Sequence, residues 1–312
     1  MYRTISGVAL REPLARFLLV TFALGTALQL AAVAVGLKTG PGSLLLLATM
    51  WAPAVGVVAA GGEARRRAFA AARRSGWRWL PAGFLVGLGP QLLQKGLLVL
   101  SGTAVWDSKH VELAADGRSV AALHGLGMVL GVGPQGLGFF ALNLLVTILI
   151  ASVMTGAVGG FGEELGWRGL LQPELEARHG VVRGTVLTGL VWAYWHLPAN
   201  LAGFNDAQHP VVGSLAVFPL LVVGLAVGLA WLTRRSGSVW PAALAHGANN
   251  TIGAGLLVNP SGWSADTVTG LVATLLVVAL VVALERRWPG RATPPRGQAV
   301  AAPVPLAPKP AV

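Results

Sequence analysis

The sequence contains no cysteine. That absence excludes disulfides, thiolate metal sites and a cysteine nucleophile. Charge is scarce as well. Asp, Glu, Lys and Arg make up 11% of the 312 residues, against roughly 25% in a soluble domain, and only 12 are acidic. What fills the space is 54% hydrophobic residues, with a mean hydropathy of +0.67. The uncharged runs are too long for a soluble core, so lipid replaces water around much of the surface.

The few charges are lopsided. Net charge is +11, with 23 Lys and Arg, 19 of them Arg. In a soluble chain such a balance would suggest nucleic acid. Here the arginines lie between apolar runs, where they set topology and meet anionic headgroups. Membrane lipid is therefore the expected partner, and nucleic acid is not.

A spanning helix needs about 20 apolar residues. Eight runs qualify, near 14–36, 43–60, 79–100, 136–161, 184–202, 211–232, 238–257 and 266–284. The expected fold is all-α, a polytopic transmembrane bundle of about eight helices. Arg3, Arg11 and Arg16 precede the run Phe17 to Gly36, which is longer than a signal-peptide core and reads as a first, uncleaved span. Loop 61–78 carries Arg65, Arg66, Arg67, Arg73, Arg74 and Arg78 against Glu63, and is expected to be cytoplasmic. Loop 101–119, with Asp107, Glu112 and Asp116, is expected outside. Arg178, Arg183, Arg234, Arg235, Arg286 and Arg287 fit one topology, with both termini cytoplasmic in a plasma (inner) membrane. Lys95 sits near the outer end of its span and snorkels.

Residues 119–135, apolar and Gly-rich, read as a short outer interfacial helix. The chain then divides into an N-terminal membrane region (1–135), a core (136–258), a last span (259–287) and a Pro/Ala-rich disordered tail (288–312). No internal repeat is visible.

Most acids lie in loops, tails or helix ends. Glu163 and Glu164 follow 44 residues (119–162) without Asp, Glu, Lys or Arg. A carboxylate at membrane depth costs on the order of 2.5–3.5 kcal/mol unless paired, hydrated or protonated. On a helix Glu164 and Arg168 share a face, four apart, whereas Glu163 points about 100° away. One acid is then structural and the other available. The blander reading is an interfacial Glu–Arg pair that ends a helix.

Two further segments bring polar groups to depth. His196 lies about 13 residues past Arg183, roughly 20 Å in at 1.5 Å per residue. Trp192 shares its face, and Pro198 frees the carbonyl of Tyr194, which favours a kink beside His196. A hydrogen-bonded packing histidine is the plainer alternative. His246 and Asn250 are likewise four apart, among Ala242, Ala243, Ala245, Gly247 and Ala248, which permit close helix packing. Alone, that segment could be a small-residue interface joined by one polar pair. Together, the three helices direct an acid, two imidazoles and an amide toward the cytoplasmic half. One Glu would take a proton from water. The histidines would orient that water, stabilise an oxyanion or hold a metal, and Asn250 is an amide donor suited to an oxyanion.

The pattern Glu163-Glu164-x-x-x-Arg168, then Trp192-x-x-x-His196, then His246-x-x-x-Asn250 resembles the CPBP intramembrane proteases, also called the Abi or type II CAAX prenyl endopeptidase family. The resemblance covers about residues 140–255. It implies an eight-helix membrane fold and an endopeptidase. Glu163 would be the general base, His196 and His246 would complete the site, and Asn250 would stabilise the oxyanion. Glu164 and Arg168 would shape it. The family usually has Phe where this chain has Trp192, which bears on pocket size. It is described both as a metalloprotease and as using a glutamate-activated water without tightly bound metal. In the first case Glu163, His196 and His246 would supply three ligands to zinc, leaving a position for water.

The leading expectation is thus an intramembrane endopeptidase acting on a membrane-associated or lipid-anchored, CAAX-like peptide that enters from the cytoplasmic side or laterally from lipid. Two alternatives use the same groups or fold: a proton-coupled transporter, and a non-catalytic bacteriocin-immunity or scaffold protein.

Overall fold

A computed structural model describes residues 11–108, 110–115, 117–122, 128–252 and 257–287. The tail and His124 lie outside the described residues. The chain folds as a helical bundle. Its helices are α1 (Arg11–Val35), α2 (Gly40–Thr49), α3 (Ala52–Ala60), α4 (Gly62–Arg73) and α5 (Leu80–Leu100), then α6 (Leu137–Thr155), α7 (Phe161–Gly166) and α8 (Gln172–His179). The remainder are α9 (Val181–Trp195), α10 (Leu197–Leu201), α11 (Phe218–Ser236), α12 (Trp240–Ile252) and α13 (Trp263–Arg287). Prolines mark several starts, where a missing N–H costs nothing: Pro41, Pro53, Pro81 and Pro219 all stand in first turns. Thr39 caps α2 by accepting from the Gly42 amide at 3.1 Å.

Six helical segments are long and apolar enough to cross a membrane among the described residues. They correspond to six of the eight expected runs, and the all-helical bundle of an integral membrane protein stands. The other two expected spans, 184–202 and 238–257, are not among the six. α9 has 15 residues and the described α12 has 13. At 1.5 Å per residue these reach only about 20 Å, short of the roughly 30 Å hydrocarbon core.

A second difference concerns 119–135. The expected interfacial helix is absent where the chain is described. β3 (Ser119–Ala122) and β4 (Gly133–Gly136) instead join β2 (Val111–Leu113) in an antiparallel sheet ordered β2-β3-β4. Gly131 and Gly133 have φ of 111° and 96°, which no right-handed helix accepts, and Pro134 follows. β1 (Ala104–Trp106) pairs antiparallel with β5 (Val258–Pro260).

The bundle has two distinct ends. At one, ion pairs cross between helices: Arg67 to Glu174 at 3.2 Å, Arg234 to Glu176 at 2.8 Å and Arg235 to Glu285 at 3.1 Å. Trp240 donates its indole N–H to the Ala72 carbonyl at 2.8 Å. This is the arginine-rich end. The opposite end carries both small sheets, the 36–39 turn and the 202–209 loop.

α12 lies at the centre, packed between α5 and α6. Glycine makes that possible. A Cβ on Gly247 would come within 2.3 Å of the Gly156 nitrogen and the Ser152 carbonyl oxygen. Cβ atoms on Gly83 and Gly87 would meet the carbonyls of Pro241 and Ala245 at 2.5 and 2.1 Å. Such backbone-to-backbone packing replaces the hydrophobic drive that lipid removes.

Candidate active site

Glu163 and Glu164 occupy α7, a short helix flanked by two π-helical turns, Gly156–Gly160 and Trp167–Leu171. Each π turn inserts a residue and re-aims the side chains after it. Gly162 and Gly166 let this segment approach α3: their Cβ atoms would meet the Met50 carbonyl at 2.7 Å and Pro53 at 2.4 Å. On the other side, Gly160 faces the Ala243 carbonyl, which brings α12 alongside. Both carboxylates are fully buried.

The two acids have different partners. Glu163 Oε2 accepts the indole N–H of Trp192 at 2.6 Å and that of Trp167 at 3.1 Å. Its Oε1 makes no hydrogen bond among the described residues, and Glu163 lines a cavity. Glu164 faces Arg168, whose Nη1 is 3.1 Å from Oε2 and donates to Oε1 at 3.2 Å. Glu164 Oε1 also meets His246 Nδ1 at 2.9 Å. An ionised carboxylate only accepts, so Nδ1 carries the proton and Nε2 is left with its lone pair in the neutral ring. Glu164 therefore orients both a cation and an imidazole.

Arg168 is buried, and its Nε and Nη2 have no hydrogen-bond partner among the described residues. Its guanidinium stacks instead on Trp192, 4.5 Å from the ring centroid. Trp192 is the hinge of the cluster. Its N–H holds Glu163, one face covers Arg168, and its ring lies 5.2 Å from His246 and 6.2 Å from His196. The Phe-to-Trp difference from the resembled family thus reaches beyond pocket size, because Phe has no N–H to donate.

His196 stands at the break between α9 and α10. Its amide bonds the Ala193 carbonyl in a tightened turn, so the Trp192 carbonyl is free to accept from His196 Nδ1 at 2.9 Å. A carbonyl cannot donate, so Nε2 is again the unprotonated nitrogen. Pro198 forbids the next helical bond. Gln29 of α1 fills the gap, donating to the Trp195 carbonyl at 2.9 Å and accepting from the Ala199 amide at 3.2 Å. The imidazole packs against Trp195 and Phe218, with centroids 4.8 and 5.3 Å away.

Asn250 is exposed to the cavity one turn beyond His246, beside Asn249, which accepts from Gln91 at 3.3 Å. The cavity has a volume of about 1000 Å³. Glu163, Trp192, His196, His246, Asn249 and Asn250 all line it; Glu164 and Arg168 stand behind the wall. It extends to the end of the bundle bearing Lys38, Asp206 and Asp266, away from the arginine-rich end.

No three His, Asp or Glu side chains among the described residues are grouped to hold a metal ion. One Glu163 oxygen is committed to two indoles.

Three contributors escaped the sequence reading. Trp167, at four residues from Glu163, was legible as a same-face neighbour. Gln29 was legible as a lone amide in an apolar span. Asn249 carried no signal apart from Asn250. Residues 140–252 match the family model described as Rce1-like, type II CAAX prenyl endopeptidase. No curated protein matches the chain. The matched segment begins within α6, reaches Ile252 and contains Glu163, Glu164, Arg168, Trp192, His196, His246 and Asn250; over these residues this integral membrane protein is similar to the Rce1-like, type II CAAX prenyl endopeptidases.

Proposed function

We propose that this protein is an intramembrane endopeptidase that hydrolyses a membrane-associated or lipid-anchored peptide with a Glu163-activated water. The observation that carries this is one carboxylate, fixed by two indole donors and presented to a cavity that His196, His246 and Asn250 also line. Two donors on Oε2 hold the carboxylate still and leave Oε1 for water. His196 and His246 each spend Nδ1–H elsewhere, so their Nε2 atoms only accept; with one hydrogen of the water directed to Glu163 Oε1, the second is donated to one of these two Nε2 atoms, which orients that water. The oxyanion then needs a separate donor, and the Asn250 amide provides it.

The water oxygen forms a bond to the scissile carbonyl carbon while Glu163 takes its proton. Collapse of the tetrahedral intermediate breaks the C–N bond, and Glu163 returns the proton to the leaving amine. Glu164 and Arg168 keep His246 and Trp192 in place. The site lies in a plasma membrane protein whose termini are cytoplasmic.

The test is cleavage of lipid-anchored and membrane-tethered peptides by the purified full chain, alongside Glu163→Ala and His246→Ala. Both variants are expected to be inactive while retaining the wild-type elution profile. Full activity in both would overturn the proposal.

A further inference from the structure

We infer that the cavity is entered from the membrane face opposite the arginine-rich end, so that the peptide cut here is an extracytoplasmic segment of a membrane-anchored polypeptide. This rests on the endopeptidase reading and replaces the cytoplasmic entry expected from sequence.

Three observations carry it. First, the lining stops short of one end only. Lys38, Gln94, Asp206, Gln208, Trp263 and Asp266 form the outer part of the cavity, and no residue of 61–79, 168–183 or 230–241 contributes. The two helices that bring the histidines start at the arginine-rich end. His246 is six residues from the start of α12, about 9 Å along the axis, so the wall behind it is short. Second, that short wall is sealed. Phe161, two residues before Glu163, stacks on Trp240 with centroids 4.4 Å apart. Trp240 is bonded to the Ala72 carbonyl, and the Arg67–Glu174 and Arg234–Glu176 pairs close the layer beyond. Opening this side would break buried packing and ion pairs together. The opposite mouth is polar, as a water-filled entrance requires, and its rim is held by Trp263 donating to Asp206 and Gln94 donating to Asp266. Third, charge fixes which face is which. Arg65, Arg66, Arg67, Arg73, Arg74 and Arg78 fall in one short connection, and cytoplasmic connections carry such an excess. The mouth is therefore extracytoplasmic.

The absence of cysteine makes the test clean. Single substitutions Gln208→Cys at the mouth, Leu225→Cys on the cavity wall and Ser75→Cys at the arginine-rich end are expressed in the full chain in intact cells. Each is treated with a small, charged, membrane-impermeant methanethiosulfonate. Gln208→Cys and Leu225→Cys are expected to react in intact cells, and Ser75→Cys only after permeabilisation. Reaction of Ser75→Cys but not Gln208→Cys in intact cells overturns the orientation. Reaction of Gln208→Cys with Leu225→Cys protected before and after permeabilisation overturns the open path. A tethered substrate supplies the second arm, with its scissile segment on either face. Cleavage dependent on Glu163 of only the cytoplasmic version overturns this inference and leaves the endopeptidase reading intact. Outward labelling with cleavage of neither version overturns the endopeptidase reading, not the geometry.

Discussion

Trp192→Phe restores the aromatic residue of the resembled family and removes a single N–H. That N–H lies 2.6 Å from Glu163 Oε2, in a site where Trp192 is 2% exposed. Hydrogen bonds to charged groups contribute about 1.5–3 kcal/mol. Trp167 still donates to the same oxygen at 3.1 Å, so the carboxylate is loosened rather than released. The lower end of that range therefore applies, and about 1.4 kcal/mol corresponds to tenfold in rate. A Phe ring keeps the aromatic face under Arg168 and the bulk beside His246. The expected result is about a tenfold fall in kcat with KM nearly unchanged, read from initial rates on a tethered fluorogenic peptide in proteoliposomes. Trp167→Phe should act the same way, and the double variant more than either alone. Unchanged kcat in Trp192→Phe, or an effect confined to KM, would refute the claim that the indole positions the base.

Other expectations follow from the packing. Gln29→Leu leaves the Trp195 carbonyl and the Ala199 amide unpaired beside His196; at about 1–3 kcal/mol per buried orphan it should lower the Tm measured in detergent and cut activity together. A Tm equal to wild type would mean the α9–α10 break holds itself. Gly247→Ala forces α12 away from Gly156 and should destabilise by at least about 1–3 kcal/mol, whereas Gly96→Ala, which meets nothing within 4 Å, should be neutral or slightly stabilising. Equal melting curves for the two would contradict the close crossing. At the mouth, partial burial raises the Asp206 pKa, but hydrogen bonds from the His209 amide, the Trp263 indole and the Gln208 amide outweigh it and hold the carboxyl below its ordinary value. Its contribution to order is thus complete above the ordinary carboxylate pKa and lost as pH falls through the lowered one. Hydrogen exchange in 202–209 should stay slow at neutral and mildly acidic pH and quicken only below the usual carboxylate range; quickening near pH 6 would assign the loop to another group.

Much of the bundle could be read from composition because lipid imposes one rule: long uncharged runs become helices with internally satisfied backbones. The limits of that rule appear at α9 and α12. Both sit in apolar text, yet Pro198 ends α9 at 15 residues and the described part of α12 has 13; what counts is the length of regular helix. The sheet at 119–136 was hidden for a related reason. Hydropathy records where apolar residues are, whereas Gly131, Gly133 and Pro134 decide what backbone they can adopt. At the site, i, i+4 spacing exposed the Glu164–Arg168 contact, since both partners lie on one helix. Contacts between helices were not legible. His246 on Glu164, Trp192 on Glu163 and Gln29 at the α9 break depend on glycines that set the distance between backbones, and no spacing along the chain encodes that distance.

The central claim is that Glu163 takes the proton from the attacking water, and Glu163→Gln addresses it most directly. Gln keeps the shape and can still accept from both indoles, so folding should be preserved while basicity is lost. Turnover of a tethered peptide is measured for the purified wild type and the variant, each before and after exhaustive chelation. The account expects kcat to fall by about 10²–10⁴-fold in Glu163→Gln, the range for a lost general base, with chelation leaving the wild type unaffected. Wild-type turnover in Glu163→Gln, or abolition of wild-type activity by chelation with restoration by zinc, would contradict it.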